Sequence, residues 1–164
     1  MIVIADSSAL VALSVCGCLH LLDQLFGEVK VPQAVYDEVC ITNKAESLAL
    51  RHYLSGKVCS VTNAAPIEKP TGLGKGELEA ISLYKQLSAD LLLIDDAKAK
   101  KVAYLNNLEV MGSLGVLLLA KRQSLIEAIK PSVTLLRCSD IFISEALLSQ
   151  VLAMANESAE LPSR

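Results

Sequence analysis

Apolar positions along the chain follow two alternating patterns. Met1–Ala5 and Asp90–Ile94 are dominated by continuous apolar runs, and each predicts a short strand buried on both faces. Elsewhere the apolar spacing lengthens to three and four residues. It predicts a helix starting at Ser8 with turn punctuation near Gly17, then helices over Pro32–Cys40, Lys44–Leu54, Gly76–Ser88, Ala97–Leu105 and Leu114–Lys121. Pro32 is expected in the first turn, where its missing N–H costs nothing. Val58–Thr62 alternates like a strand, Glu109–Met111 reads as a brief one, and two or three short helices close the chain. Doubly apolar strands separated by helices imply a three-layer α/β/α fold around a short parallel sheet.

With 164 residues the chain is long enough for one domain with a real core. Residues 1–157 are expected to form that domain and Ser158–Arg164 a frayed tail. Asn63–Gly76, with Pro66, Pro70 and three glycines, is the loosest internal stretch. Although 52% of residues are hydrophobic, Leu91–Ile94 and Gly115–Ala120 fall far short of the ~20 residues a spanning helix needs. No Lys or Arg precedes Lys30, so Ser8–Leu22 makes a poor signal-peptide core. A cytoplasmic protein is expected. The five cysteines lack CxxC pairing and read as small hydrophobes in a reducing compartment. Neither His20 nor His52 has a serine and acid arranged for nucleophilic catalysis.

The net charge is -3, so binding to nucleic acid would need a local basic cluster or a bound cation. Lys98, Lys100 and Lys101 form the densest cluster, with Lys121 and Arg122 second.

The acids carry more information. Both apolar strands run straight into carboxylates, at Asp6 and at Asp95-Asp96. In an open parallel sheet, ligands bind at the carboxyl ends of the strands, so neighbouring strands would bring these acids together. Helix capping explains one acid per helix, and Asp95-Asp96 supplies one more. Glu38 and Glu77 fall on or beside apolar stripes: Glu38 with Ala34, Val35 and Ile41, and Glu77 with Ala80, Ile81 and Tyr84. Glu79 is expected to point the other way, with Gln86. Taken singly, each acid has an ordinary explanation in a cap, a helix dipole or a salt bridge. Together they suit one hard divalent cation, Mg²⁺ or Mn²⁺, able to activate a water against a phosphodiester. Thr71-Gly72-Leu73-Gly74-Lys75-Gly76 lacks the spacing of a phosphate loop and reads as a flexible loop delivering Glu77.

Several ordered motifs resemble PIN domains: Ile4-Ala5-Asp6-Ser7-Ser8, Val31 through Val39, Leu73 through Ala80, Ala89 through Asp96, and Gly112-Ser113-Leu114-Gly115-Val116-Leu117. The later motifs are similar to a prokaryotic branch related to VapC-type toxins. The resemblance implies a Mg²⁺- or Mn²⁺-dependent endoribonuclease with Asp6, Glu38, Glu77 and Asp95 as the catalytic acids. Asp96 contends with Asp95 for the metal. Ser7 and Ser113, with Lys98 and Lys100, are implied around the substrate. The branch also implies an RNA substrate, a homodimer, and a role as a toxin silenced by a small antitoxin. Where that branch often has Ala-Arg, this chain has Ala99-Lys100, which keeps the charge but loses a bidentate phosphate grip. Two rival readings remain: a receiver-like Mg²⁺-binding signalling domain, whose acid pair would be expected after the first strand, and a catalytically silent PIN scaffold.

Overall fold

The computed structural model describes residues 1–41 and 44–161. Most of the expected tail is therefore described, but residues 162–164 lie outside that set. Five strands form one wholly parallel sheet: β1 (Ile2–Ala5), β2 (Glu28–Pro32), β3 (Val58–Cys59), β4 (Leu91–Leu93) and β5 (Val110–Met111), in the order β3-β2-β1-β4-β5. The central pair is in register with Val3 opposite Leu91 and Ala5 opposite Leu93.

Side-chain alternation divides the core into two layers. Val3, Ala5, Leu91 and Leu93 face one way, into a large core shared with α1 (Ser7–Val15), α2 (His20–Leu25), α4 (Ala45–Tyr53) and α7 (Ser113–Arg122). The closing helices α8 (Lys130–Arg137) and α9 (Glu145–Met154) join that core as well. Ile4, Leu92 and Ile94 face the other way, against α5 (Lys75–Leu87) and α6 (Ala97–Leu105). Burial on both faces explains why these strands carry no polar alternation. The chain has the expected three-layer α/β/α architecture.

Three elements differ from expectation. Glu28–Pro32 is a strand that the apolar pattern did not reveal, because Glu28 and Lys30 interrupt it; they pair with each other at 2.9 Å. Pro32 ends that strand and is the N-cap of α3 (Gln33–Cys40), with extended backbone, instead of sitting in the first turn. At the far edge, the strand expected over Val58–Thr62 shortens to Val58–Cys59.

Asn63–Gly76 is tied down more firmly than its composition suggests. Lys85 donates from Nζ to the Pro66 carbonyl at 2.6 Å and to Asn106 Oδ1 at 2.8 Å. Asn106 also exchanges hydrogen bonds with the Glu68 backbone in both directions, at 2.9 and 3.1 Å. Among the described residues no helix is long and apolar enough to cross a membrane.

Candidate metal centre at the carboxyl edge of the sheet

The register of β1 and β4 brings both strand ends to one edge, and the chain continues the ladder one step further, with Asp6 N–H donating to the Leu93 carbonyl at 2.8 Å. Ser8 then locks the two acidic ends together. Its hydroxyl donates to Asp6 Oδ2 at 2.7 Å and accepts from the Asp95 N–H at 2.9 Å. The sequence pattern marks Ser8 only as a helix start within the first PIN-like motif; a contact spanning 87 residues leaves no local pattern.

A cleft of about 510 Å³ opens at this edge, lined by Asp6, Ser7, Glu38, Glu77, Asp95 and Asp96 among others. All five acids singled out in the sequence therefore meet in one place. Lys98 is exposed and outside the cleft, whereas Lys100 lies beside Asp95 in an adjoining groove.

The ordinary roles of these acids are real. Asp6 is the N-cap of α1, accepting the Ser8 N–H at 3.1 Å, and Asp96 is the N-cap of α6, accepting from Ala99 N–H at 2.9 Å. Glu77 reaches back to the Gly74 N–H at 2.7 Å at the start of α5. Asp95 Oδ1 accepts from the Ser113 N–H at 2.8 Å, at the start of α7. In each case a single carboxylate oxygen is engaged. The second oxygen of Asp6, Glu77, Asp95 and Asp96 has no hydrogen-bond partner among the described residues. For Asp6, which is only 2% exposed, that spare Oδ1 is fully buried. A buried acceptor left unpaired is costly.

Glu38 differs from the other four. It was expected on or beside an apolar stripe; Ala34 and Val35 of that stripe are buried, but Glu38 itself is exposed and Ile41 is 73% exposed. Both of its oxygens are engaged: Oε1 accepts from the Gly76 N–H at 3.1 Å and Oε2 from the Ser7 hydroxyl. Glu38 thus pulls the start of α5 against α3 and α1. The approach is so close that a Cβ on Gly76 would stand 2.6 Å from both carboxylate oxygens. Gly112 has the same character, since a Cβ there would meet Asp95 Oδ1 at 2.6 Å and Lys100 Nζ at 3.0 Å.

Glu79 was expected to face away with Gln86, but it accepts from the Ala34 N–H at 3.1 Å and pairs loosely with Lys75 at 3.8 Å. It supplies the acceptor that the N-cap Pro32 lacks.

Electrostatics follow from this crowding. Burial is the largest influence on Asp6 and raises its pKa, offset in part by hydrogen bonds from Ser8 and Ser7 and reinforced by the Glu38 charge. Burial likewise raises Glu77; the Gly74 hydrogen bond opposes it, and the charges of Asp6, Asp96 and Glu38 add to it. Among the described residues no three His, Cys, Asp or Glu side chains stand close enough to cage an ion as they are. The donor set nevertheless suits a hard cation: four acids that each keep an unpartnered oxygen line one cleft, and that oxygen of Asp6 is buried.

Compared with known families, residues 2–157 match the PIN domain. The chain belongs to the PIN-domain family. No curated protein matches it.

Proposed function

We propose that this protein is a Mg²⁺- or Mn²⁺-dependent endoribonuclease, with Asp6, Glu77 and Asp95 as the principal metal-binding acids and Asp96 beside them. The observation that carries this reading is the buried, unpartnered Oδ1 of Asp6 in a cleft bordered by four further carboxylates. A divalent cation there would supply an activated water and stabilise charge on the leaving oxygen. The chain's own part is positional. Ser8 fixes Asp6 against Asp95, while Glu38 holds Ser7 and the start of α5, so that Glu77 faces the same cleft. Hydrogen bonds on one oxygen of each of these four acids fix its orientation while leaving the other oxygen without a partner among the described residues. Ser7 and Ser113 stand next to this set, and Lys100 brings positive charge to the cleft margin for a phosphate.

The match to a nuclease-type family supports RNA as substrate and a cytoplasmic setting. The motif from Gly112 to Leu117 favours the finer reading as the toxin of a pair, homodimeric and silenced by a small antitoxin. The catalytically silent scaffold is the serious alternative, because the acids are not drawn together in advance.

One assay decides between them. Single-stranded RNA is incubated with Mn²⁺ or Mg²⁺ and wild type, Asp6→Asn or Glu77→Gln. Wild type should cleave, EDTA should stop it, and each substitution should lower kcat at least about 100-fold. Absent cleavage, or cleavage that persists in EDTA and in both variants, sinks the enzyme reading.

A further inference from the structure

The acid cleft continues past Asp95. A second groove of about 400 Å³ adjoins it and shares Asp95 and Ile141 with it as a common wall. Its character is different: the far side is apolar, formed by Phe142, Ile143, Leu147 and Val151. Three features mark it as built for a ligand.

The first is Phe142. Ile141 and Ile143 pack against the main core, yet Phe142 between them remains 89% exposed. The chain has only two phenylalanines and no tryptophan, so one of its few large aromatic rings is held in solvent by two anchored neighbours. Second, Ser113 is 1% exposed, lines this groove, and has a buried hydroxyl with no partner. Third, Lys100 lines the groove where it meets Asp95, and its amine has neither hydrogen bond nor ion pair among the described residues.

We propose that this groove binds one unpaired nucleobase of the substrate, next to the phosphate that occupies the acid cleft. Phe142 stacks on the base, Ser113 supplies a hydrogen bond, and Lys100 faces a phosphate oxygen. The inference rests on the nucleic-acid reading of the acid cleft. A stacking ring, a hydroxyl and a cation within one short groove match the alternating base, edge and phosphate of a single strand. A duplex would bury its base faces and leave Phe142 unused, so the substrate class is single-stranded nucleic acid. A docked protein would require a broad apolar surface around an anchor, whereas Lys100 and Asp95 interrupt this one at its junction with the cleft.

Because the chain contains no tryptophan, Phe142→Trp creates a single fluorescent reporter. It is placed in the Glu77→Gln background so that the oligonucleotide stays intact, and titrated with short oligoadenylate and with a ribose-phosphate oligomer lacking bases. Oligoadenylate should quench the emission and the abasic oligomer should not. In steady-state cleavage, Phe142→Ala should raise KM about tenfold with kcat within about twofold, and Phe142→Tyr should keep the wild-type KM. If wild type cleaves RNA while quenching is absent and Phe142→Ala leaves KM unchanged, the base site is overturned and the nuclease reading stands. If wild type does not cleave but quenching needs bases, the nuclease reading fails and the base site stands. Equal quenching by both oligomers overturns stacking.

Discussion

Two of this molecule's charge clusters cap helices through carboxylates, several acids at the sheet edge and Glu157 with Lys121 near the C-terminus, and only the second is balanced. At the sheet edge, Asp6 and Glu77 each satisfy backbone donors at a helix start, yet burial and neighbouring acids hold their pKa values up. Near the C-terminus, Glu157 does the same job for α8, whose N-cap Ile129 has no side-chain acceptor: it takes the Ile129 N–H at 2.8 Å and the Lys130 N–H at 2.9 Å. Burial works against its charge there too. However, a hydrogen bond from Lys121 at 2.7 Å, the two backbone donors and the lysine charge outweigh it and lower its pKa. Lys121 also donates to the Ala155 carbonyl at 2.6 Å. The same residue type in the same local role is stabilising where a cation is built in, and is left under tension where none is. On the proposed reading, that difference separates a structural clamp from a functional site.

The comparison breaks most visibly at Asp6. Asparagine keeps the capping oxygen but removes the buried charge, so Asp6→Asn should lose at least about 100-fold in kcat while raising metal-free stability by about 1 kcal/mol, or about 2–4 °C in Tm. Paired melting and cleavage measurements check both halves. A variant that is both inactive and less stable would mean that the acid is there for the fold.

Glu157→Gln is the mirror experiment. It removes a largely buried charge, 11% exposed in its side chain, from a lysine that stays behind. The expected loss is about 2 kcal/mol, or about 4–8 °C in Tm, with cleavage per folded molecule unchanged. A fall in kcat at temperatures where the variant is folded would show that the two clusters are coupled.

These two clusters were not equally legible in the sequence. The acidic edge was readable because strands buried on both faces advertise themselves as apolar runs, and an acid ending such a run has one place to go. The layers and the meeting of Asp6 with Asp95 and Asp96 followed from that, whereas Glu38 and Glu77 were singled out by helical stripes and by the PIN resemblance. Contacts between distant elements left no trace. Glu79 capping α3, Ser8 bridging Asp6 to Asp95, and Glu157 clamping Lys121 are all tertiary pairings. Lys121 looked like part of a basic patch because charge patterning cannot show that a lysine is already paired. Glu38 was placed on or beside a core stripe because helical spacing defines a face but not what its margin meets; here Glu38 meets an open cleft.

Gly76 sharpens the contrast between fold and function within one residue. It lies in the first turn of α5 with its amide on Glu38. Alanine is favoured over glycine in a helix by up to about 1 kcal/mol, so the substitution suits the helix. The added Cβ must nevertheless displace a carboxylate whose oxygens would stand 2.6 Å away. Gly76→Ala should therefore keep or slightly gain Tm and lose about tenfold in kcat. Unchanged kcat would remove Glu38 from the catalytic arrangement, leaving Asp6, Glu77, Asp95 and Asp96.

The finest test is pH, because the two clusters respond in opposite directions. Asp6 and Glu77 have raised pKa values when folded, so their contribution to stability is full below the ordinary carboxylate range and is lost as pH rises through the raised values. Glu157 has a lowered value, so its contribution is present above the ordinary range and is lost as pH falls through the depressed one. A divalent cation at the acid cleft must displace the protons that Asp6 and Glu77 retain, so its stabilisation should grow with pH. Melting at about pH 5 and about pH 8, with and without Mn²⁺, should show a metal increment that is larger at the higher pH, by about 1 kcal/mol. That increment should be unchanged in Glu157→Gln and absent in Asp6→Asn. An increment independent of pH would place the cation away from Asp6 and Glu77, because a ligand that displaces no proton has no reason to favour one pH over another.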